Sequence, residues 1–121
     1  MNRTKLVEGG KRIRKNWSTN YIVLTDLYLL FFKDAKTANS VIQTFSFNYL
    51  LIIMSFQGGK PDFFIELAGT MLTWSPEKSS KKNCFQISTV TGFQVLLQED
   101  CPITCKEWHD LIKNAINKLV N

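Results

Sequence analysis

The strongest constraint on the fold of this chain is a change in hydrophobic period near its end. Apolar residues in the last segment recur at spacings of three and four, which places them on one face of a helix. This stripe consists of Trp108, Leu111, Ile112, Ala115, Ile116 and Leu119. The preceding two thirds of the chain contain short apolar runs between turn residues, which is typical of strands. Since a lone helix must pack on those strands, we expect it to cover one end of a barrel or sandwich.

Seven strands are predicted ahead of the helix, at residues 5–7, 17–24, 28–32, 63–67, 71–74, 84–88 and 93–97. Gly9-Gly10 ends the first strand, and residues 89–92 connect the last two as a hairpin. Gly69 indicates a bulge or a sharp bend. The predicted fold class is therefore mostly β, a seven-stranded antiparallel barrel or sandwich capped by one C-terminal α-helix.

Two signals place the start of the helix between residues 101 and 105. Pro102 suits a first helical turn, and Thr104 followed three residues later by Glu107 fits a capping box.

Length and composition indicate one globular domain that spans residues 1–121. Apolar residues make up 45% and charged residues 21%, which is not the composition of a disordered chain. Three cysteines without framework spacing indicate reduced thiols, and we expect a cytoplasmic protein without a secretory signal. The longest apolar run, residues 41–56, is interrupted by polar residues and too short to span a bilayer.

The net charge of +5 is concentrated in one segment. Residues 1–20 hold six Lys and Arg side chains and one Glu, whereas the remaining residues hold nine basic and nine acidic side chains. A dense basic cluster is often only a solvated loop. Its density here favours an anionic partner: a lipid surface, a phosphorylated headgroup or a nucleic acid.

Several motifs resemble one family, the pleckstrin homology (PH) domains. Seven strands followed by one helix is the PH pattern, and Trp108 stands where that family keeps its helix Trp. Residues 4–17, 66–74 and 78–83 are similar to PH domains of the WW- and PH-containing Rho GTPase-activating proteins. The resemblance implies a phosphoinositide-binding, membrane-targeting module of a larger signalling protein, peripheral on the inner face of membranes. An alternative on the same fold is a protein–protein interaction module with weak or no lipid binding.

The residues do not support catalysis, a metal or a cofactor. His109 is the only histidine, so any nucleophile pair would depend on it alone. Cys101, Cys105 and His109 are spaced four apart and would share a helix face, but no second Cys/His pair completes a zinc site. A binder of single-stranded nucleic acid would need aromatic and basic residues interleaved on an open sheet, whereas the charges here lie on predicted loops. We therefore expect no nucleic acid partner.

The candidate phosphoinositide site lies around the predicted first hairpin. The resemblance assigns Lys5 to the usual PH pocket, but the second strand lacks the basic residues that would complete that pocket. In spectrin-like PH domains the headgroup instead lies on the other side of the hairpin, between the first loop and the loop joining strands five and six. The candidate ligands in this chain are Lys5, Lys11, Arg12, Arg14, Lys15, Asn16, Trp17, Lys78, Lys81 and Lys82.

Residues 37–60 depart from the PH pattern as an apolar insert. The alternation of Val41, Phe45, Phe47 and Tyr49 predicts an extra strand, and residues 49–54 are apolar throughout. The insert either packs on its own barrel or forms an exposed patch for a protein partner or self-association.

Overall fold

The computed structural model describes residues 1–42, 61–74 and 82–120. Its strands are β1 (Asn2–Glu8), β2 (Lys11–Arg12), β3 (Ser18–Thr19), β4 (Tyr21–Leu24), β5 (Tyr28–Phe32), β6 (Phe63–Glu66), β7 (Met71–Trp74), β8 (Cys84–Ser88) and β9 (Gln94–Gln98). Its helices are α1 (Ala35–Ile42) and α2 (Pro102–Lys118). The predicted fold class is confirmed: the architecture is mostly β, antiparallel, and ends in a helix.

The strands form two antiparallel sheets. The larger has the order β2-β1-β9-β8-β7, with β3 also paired to β1, and the smaller has the order β4-β5-β6. In the larger sheet Asn2 lies opposite Gln98, while Val7 lies opposite Gln94 and Gln94 opposite Ser88. These rows define two ends of the larger sheet, which we call the Asn2 end and the Val7 end.

The predicted second strand is divided between the two sheets at Asn20. The backbone N–H of Asn20 donates to the Met1 carbonyl, and its buried side chain donates to the Phe32 carbonyl at 2.9 Å and to Asp62 Oδ2 at 3.0 Å. Arg3 Nε donates to Asn20 Oδ1 at 2.7 Å. The backbone of Asn20 thus continues the pairing of β3 with β1, while its side chain bonds to β5 of the smaller sheet, and the residues that follow form β4, which pairs with β5.

Glycines make two of the sharp turns at the Val7 end possible. Gly9 and Gly10 have φ angles of 61° and 77°, in the left-handed region that side chains disfavour, and they connect β1 to β2. Gly69 also has a positive φ, and a Cβ there would lie 2.8 Å from Val90 Cγ1. The bend predicted at Gly69 is thus a corner where the chain passes from the smaller sheet to the larger. Residues 89–92 form the predicted hairpin between β8 and β9.

Helix α2 contributes to a core formed by both sheets. Its buried residues are Cys105, His109, Ile112 and Ile116. Trp108 is half-buried and packs against this core, while Leu111 is 55% exposed. The apolar stripe therefore predicts the helix, but the centre of the buried face is displaced from Leu111 toward His109.

The start of α2 lies within the predicted interval. Cys101 is the N-cap, with extended backbone, and Pro102 occupies the first helical turn. The capping box predicted from Thr104 and Glu107 is wrong, because the helix has already begun when the chain reaches Thr104.

Helix α1 was not predicted from the sequence. It lies on the smaller sheet, where Ala38 is buried with Leu30 and Phe32. The extra strand predicted to begin near Val41 is wrong at that residue, because Val41 belongs to α1. The rest of the predicted insert, residues 43–60, lies outside the described residues. No helix in the described ranges is long and apolar enough to cross a membrane.

Candidate functional site

Four basic side chains of the first hairpin and the loop that follows it are exposed. Lys11 and Arg12 form β2, and Arg14 and Lys15 lie between β2 and β3. Within residues 1–42, 61–74 and 82–120, no carboxylate forms a salt bridge with Lys11, Arg12 or Arg14. Lys11, Arg12 and Arg14 therefore present positive charge that no described carboxylate neutralises in a salt bridge.

A groove of about 360 Å³ lies beside these cations. Its lining residues are Leu6, Val7, Arg12, Ile13, Lys15 and Gln94. Two of the predicted ligands, Arg12 and Lys15, therefore meet at one concave surface with an apolar floor. The other four lining residues, Leu6, Val7, Ile13 and Gln94, were not predicted from the sequence. Ile13 could have been noticed as the only apolar residue in the segment 8–16, whereas Gln94 reaches the groove through the pairing of β9 with β1, which no local pattern predicts.

Lys5 lies apart from this groove. Its ammonium is 2.9 Å from Glu8 Oε2, 4.8 Å from the centre of the Phe63 ring and 5.8 Å from that of Phe93. Arg3 lies over the same Phe63 ring at 5.0 Å. The structure thus brings Lys5 together with Arg3, which the sequence analysis did not select, rather than with Arg12 and Lys15.

Asn16 and Trp17 connect the basic loop to β1. The backbone N–H of Asn16 donates to Thr4 Oγ1 at 2.7 Å, and the Thr4 side chain is buried. Trp17 is half-buried. This bond anchors the loop at Thr4, so Arg14 and Lys15 extend from a fixed point on β1.

The third group of predicted ligands belongs to the connection between β7 and β8. Lys78 and Lys81 lie outside the described residues. Lys82 is exposed, and its carbonyl accepts a hydrogen bond from Gln98 Nε2 at 3.1 Å, which places its backbone at the Asn2 end. Arg12 pairs with Val7, so the two backbones are separated by about 16 Å along the sheet. The structure does not bring Lys82 and Arg12 together.

The cysteines and the histidine near the start of α2 have other contacts. Cys105 Sγ donates to the Asn83 carbonyl at 3.0 Å, and burial raises the pKa of this thiol. Hydrogen bonds from the hydroxyl and backbone of Thr104 lower the pKa of the exposed Cys101 thiol. In the part of the chain that is described, no group of His, Cys, Asp and Glu side chains is arranged to hold a metal ion.

The ring of His109 stacks on Trp74, with centroids 4.6 Å apart, and meets Phe85 edge-on at 5.4 Å. The pKa of the Asp110 carboxyl lies below its ordinary value. The main cause is a hydrogen bond from His109 Nδ1, and the second is a hydrogen bond from Lys106. These contacts give His109 a packing role on the buried face of α2.

Comparison with known families identifies the domain. A family model described as PH domain matches residues 4–117. The chain is 38% identical over 117 residues to Rho GTPase-activating protein 15 of Gallus gallus and 37% identical over 123 residues to Rho GTPase-activating protein 27 of Mus musculus. These matches cover 97% and 98% of this chain but only 22% and 13% of the two relatives.

Solved structures agree with this comparison. The pleckstrin homology domain of ArhGAP27 superposes with a TM-score of 0.72 at 32% identity and covers 95% of this chain and 94% of its own. The C-terminal PH domain of pleckstrin, in complex with D-myo-Ins(1,2,3,4,5)P5, superposes with a TM-score of 0.53 at 23% identity, covering 93% of this chain and 94% of its own. The second likeness concerns the fold alone. The resemblance to PH domains of Rho GTPase-activating proteins, seen in the sequence of residues 4–17, 66–74 and 78–83, is confirmed.

Proposed function

The chain belongs to the PH domain family, and from this premise we propose that it binds phosphoinositides and targets a larger signalling protein to cytoplasmic membrane surfaces. A PH domain is a non-catalytic module, so the role is binding without turnover. Since the relatives named above are Rho GTPase-activating proteins, we propose that the parent protein regulates a Rho GTPase through a domain outside this chain.

The observation that carries the proposal is the basic first hairpin beside a groove. A phosphorylated inositol ring needs cations and N–H donors that replace water around its phosphates. Arg12 and Lys15 line the groove, and Lys11 and Arg14 are exposed next to it. In the described ranges, Lys11, Arg12 and Arg14 form no salt bridge with a carboxylate. An anion would therefore not have to displace a described carboxylate from them.

The lining of the groove also offers contacts that suit a membrane-bound headgroup. Ile13 and Leu6 provide an apolar wall, while Gln94 offers an amide that can donate to a phosphate oxygen. We propose that the headgroup binds in this groove, with the Val7 end of the larger sheet toward the membrane. Lys82, whose backbone lies at the Asn2 end, is then not part of the headgroup site. The PH fold accommodates this chemistry elsewhere, since the pleckstrin domain cited above was solved with an inositol pentakisphosphate.

The test is binding to vesicles of phosphatidylcholine with and without phosphatidylinositol 4,5-bisphosphate. We expect co-sedimentation of the wild-type domain with the phosphoinositide vesicles. The double substitution Arg12→Ala with Lys15→Ala should weaken that binding by about tenfold to thirtyfold, because each cation near an anionic surface contributes about 1 kcal/mol. Lys113→Ala with Lys118→Ala removes the same charge from exposed positions of α2 and should change binding less than about twofold.

Two outcomes would overturn the proposal. Equal binding to both vesicle types would leave the protein–protein interaction module as the better function. Equal losses in the two double variants would mean that net charge, and not the groove, determines membrane binding. Thermal melting of each variant establishes that a loss of binding does not reflect unfolding.

A further inference from the structure

Lys5, on the first strand of this hairpin, is paired with a carboxylate of the same strand. Glu8 is the only acidic residue among residues 1–20, and its Oε2 lies 2.9 Å from Lys5 Nζ. Lys5 is also held over the rings of Phe63 and Phe93. Because Lys5 and Glu8 lie three residues apart on β1, their contact does not depend on any other strand or helix. The charge of Lys5, one of the predicted ligands, is thus already balanced by a carboxylate at contact distance.

Lys5 and the groove lie on opposite faces of the larger sheet. Lys5 pairs with Val95, whose side chain is buried in the core between the sheets, whereas Val7 pairs with Gln94, and both line the groove. Adjacent residues of β9 face opposite sides. Lys5 therefore belongs to the inner side of the hairpin, toward the smaller sheet, and Arg12 and Lys15 to the outer side.

The inner side would otherwise be able to attract an anion. Arg3 lies next to Lys5 over the same Phe63 ring, and its Nε is fixed by Asn20 Oδ1 at 2.7 Å. The two cations are therefore adjacent and held in place. In the ranges that the structure describes, the salt bridge from Glu8 is the one carboxylate contact at 4 Å or less to either of them.

We propose that Glu8 is a specificity-determining residue that occupies Lys5 and so directs the phosphorylated headgroup to the outer groove. This inference rests on the proposed function, because it concerns which side of the hairpin the headgroup uses. An anion on the inner side must displace the Glu8 carboxylate from Lys5, whereas an anion bound at Arg12 displaces no described carboxylate. Without Glu8, the inner side presents Lys5 and Arg3 together and becomes a second site.

The test compares Glu8→Gln with Glu66→Gln. Both substitutions remove one negative charge, and Glu66 lies on β6 with an exposed side chain. Amide chemical shifts are followed by NMR during titration with soluble inositol 1,4,5-trisphosphate, and affinity is measured on the vesicles described above. In the wild type and in Glu66→Gln, the perturbed amides should be those of residues 11–15 and Gln94. In Glu8→Gln, amides of Lys5, Phe63 and Phe93 should also shift, and vesicle binding should tighten about fivefold.

The double variant Glu8→Gln with Lys5→Ala identifies the group through which Glu8 acts. Its inner-side shifts should disappear, and its vesicle affinity should return to within about twofold of wild type. If Glu8→Gln leaves the perturbed set unchanged, or if Glu66→Gln produces the same gain in affinity, the inference is wrong while the proposed function stands. If wild type shows no preference for phosphoinositide vesicles, the proposed function itself fails. Inner-side shifts with the soluble headgroup but unchanged vesicle affinity would mean that the opened site binds free inositol phosphates and not the lipid, which also contradicts the inference.

Discussion

At the Asn2 end of the larger sheet, a buried polar side chain is bonded to the polar groups around it, whereas at the Val7 end charged and apolar side chains are exposed. Gln98, 3% exposed, accepts from Asn2 Nδ2 at 2.8 Å and donates to the Lys82 carbonyl and to Asp100 Oδ1, both at 3.1 Å. At the other end the chain turns at Gly9-Gly10 and at residues 89–92, and Val90 is 77% exposed.

The difference between the two ends concerns what each contributes to folding. A buried polar group that loses its partner costs free energy, so the Asn2 end is coupled to the stability of the whole domain. Exposed cations and loop apolar residues contribute little to that stability and remain available to a partner. Substitutions at the two ends should therefore separate stability from membrane binding.

The largest expected effect is on stability, from Ile112→Ala in α2. Ile112 is fully buried in the core and its truncation should cost about 2–5 kcal/mol of unfolding free energy. Leu111→Ala, one residue earlier and 55% exposed, should cost less than about 1 kcal/mol. Urea unfolding measures both values. Vesicle binding of folded Ile112→Ala should equal that of wild type, and a loss of binding in fully folded protein would show that membrane binding is coupled to the packing of the core.

A smaller cost is expected when the same side chain is changed at each end of β9. Gln98→Leu leaves Asn2 Nδ2 and the Lys82 carbonyl without these partners and should destabilise the domain by about 1–3 kcal/mol. Gln94→Leu at the Val7 end should change stability by less than about 0.5 kcal/mol, because Gln94 lies in an open groove. If urea unfolding shows that Gln98→Leu and Gln94→Leu lose the same unfolding free energy, the proposed difference between the two ends is wrong.

The elements of the fold could be predicted where their signals are local. The spacing from Trp108 to Leu119 predicts α2, and Gly9-Gly10 and residues 89–92 predict two hairpins, since a few neighbouring residues determine each. Asn20 could not be predicted as the corner between the sheets. Its role depends on Phe32 and Asp62, which are distant in sequence, and a buried Asn has no local signature.

The positive charge of the candidate site could be predicted from the sequence, but the arrangement of its side chains could not. The excess of Lys and Arg in residues 1–20 is visible in the sequence, and four of these side chains, those of Lys11, Arg12, Arg14 and Lys15, are exposed. The face on which each cation lies follows from the pairing of β1 with β9, and this pairing separates Lys5 from Arg12. The position of Lys82 likewise depends on Gln98, a contact between residues that no periodicity relates.

The smallest effect on stability is expected at the Val7 end, from Val90→Asp. Val90 is on the hairpin between β8 and β9, whose Ser88–Gln94 row continues to Val7 and Arg12, so it shares an end of the sheet with the basic hairpin. If this end contacts the membrane as proposed, an aspartate there places a negative charge against anionic lipid, and vesicle binding should fall about fivefold. Binding of soluble inositol 1,4,5-trisphosphate should change less than about twofold, because Val90 does not line the groove.

Ile103→Asp is the matched control, since Ile103 is 70% exposed in the first turn of α2, which follows β9 at the Asn2 end. The unfolding free energy of both variants should stay within about 0.5 kcal/mol of wild type. Equal losses of vesicle binding from Val90→Asp and Ile103→Asp would mean that the membrane does not distinguish the two ends, and the proposed orientation would then be wrong.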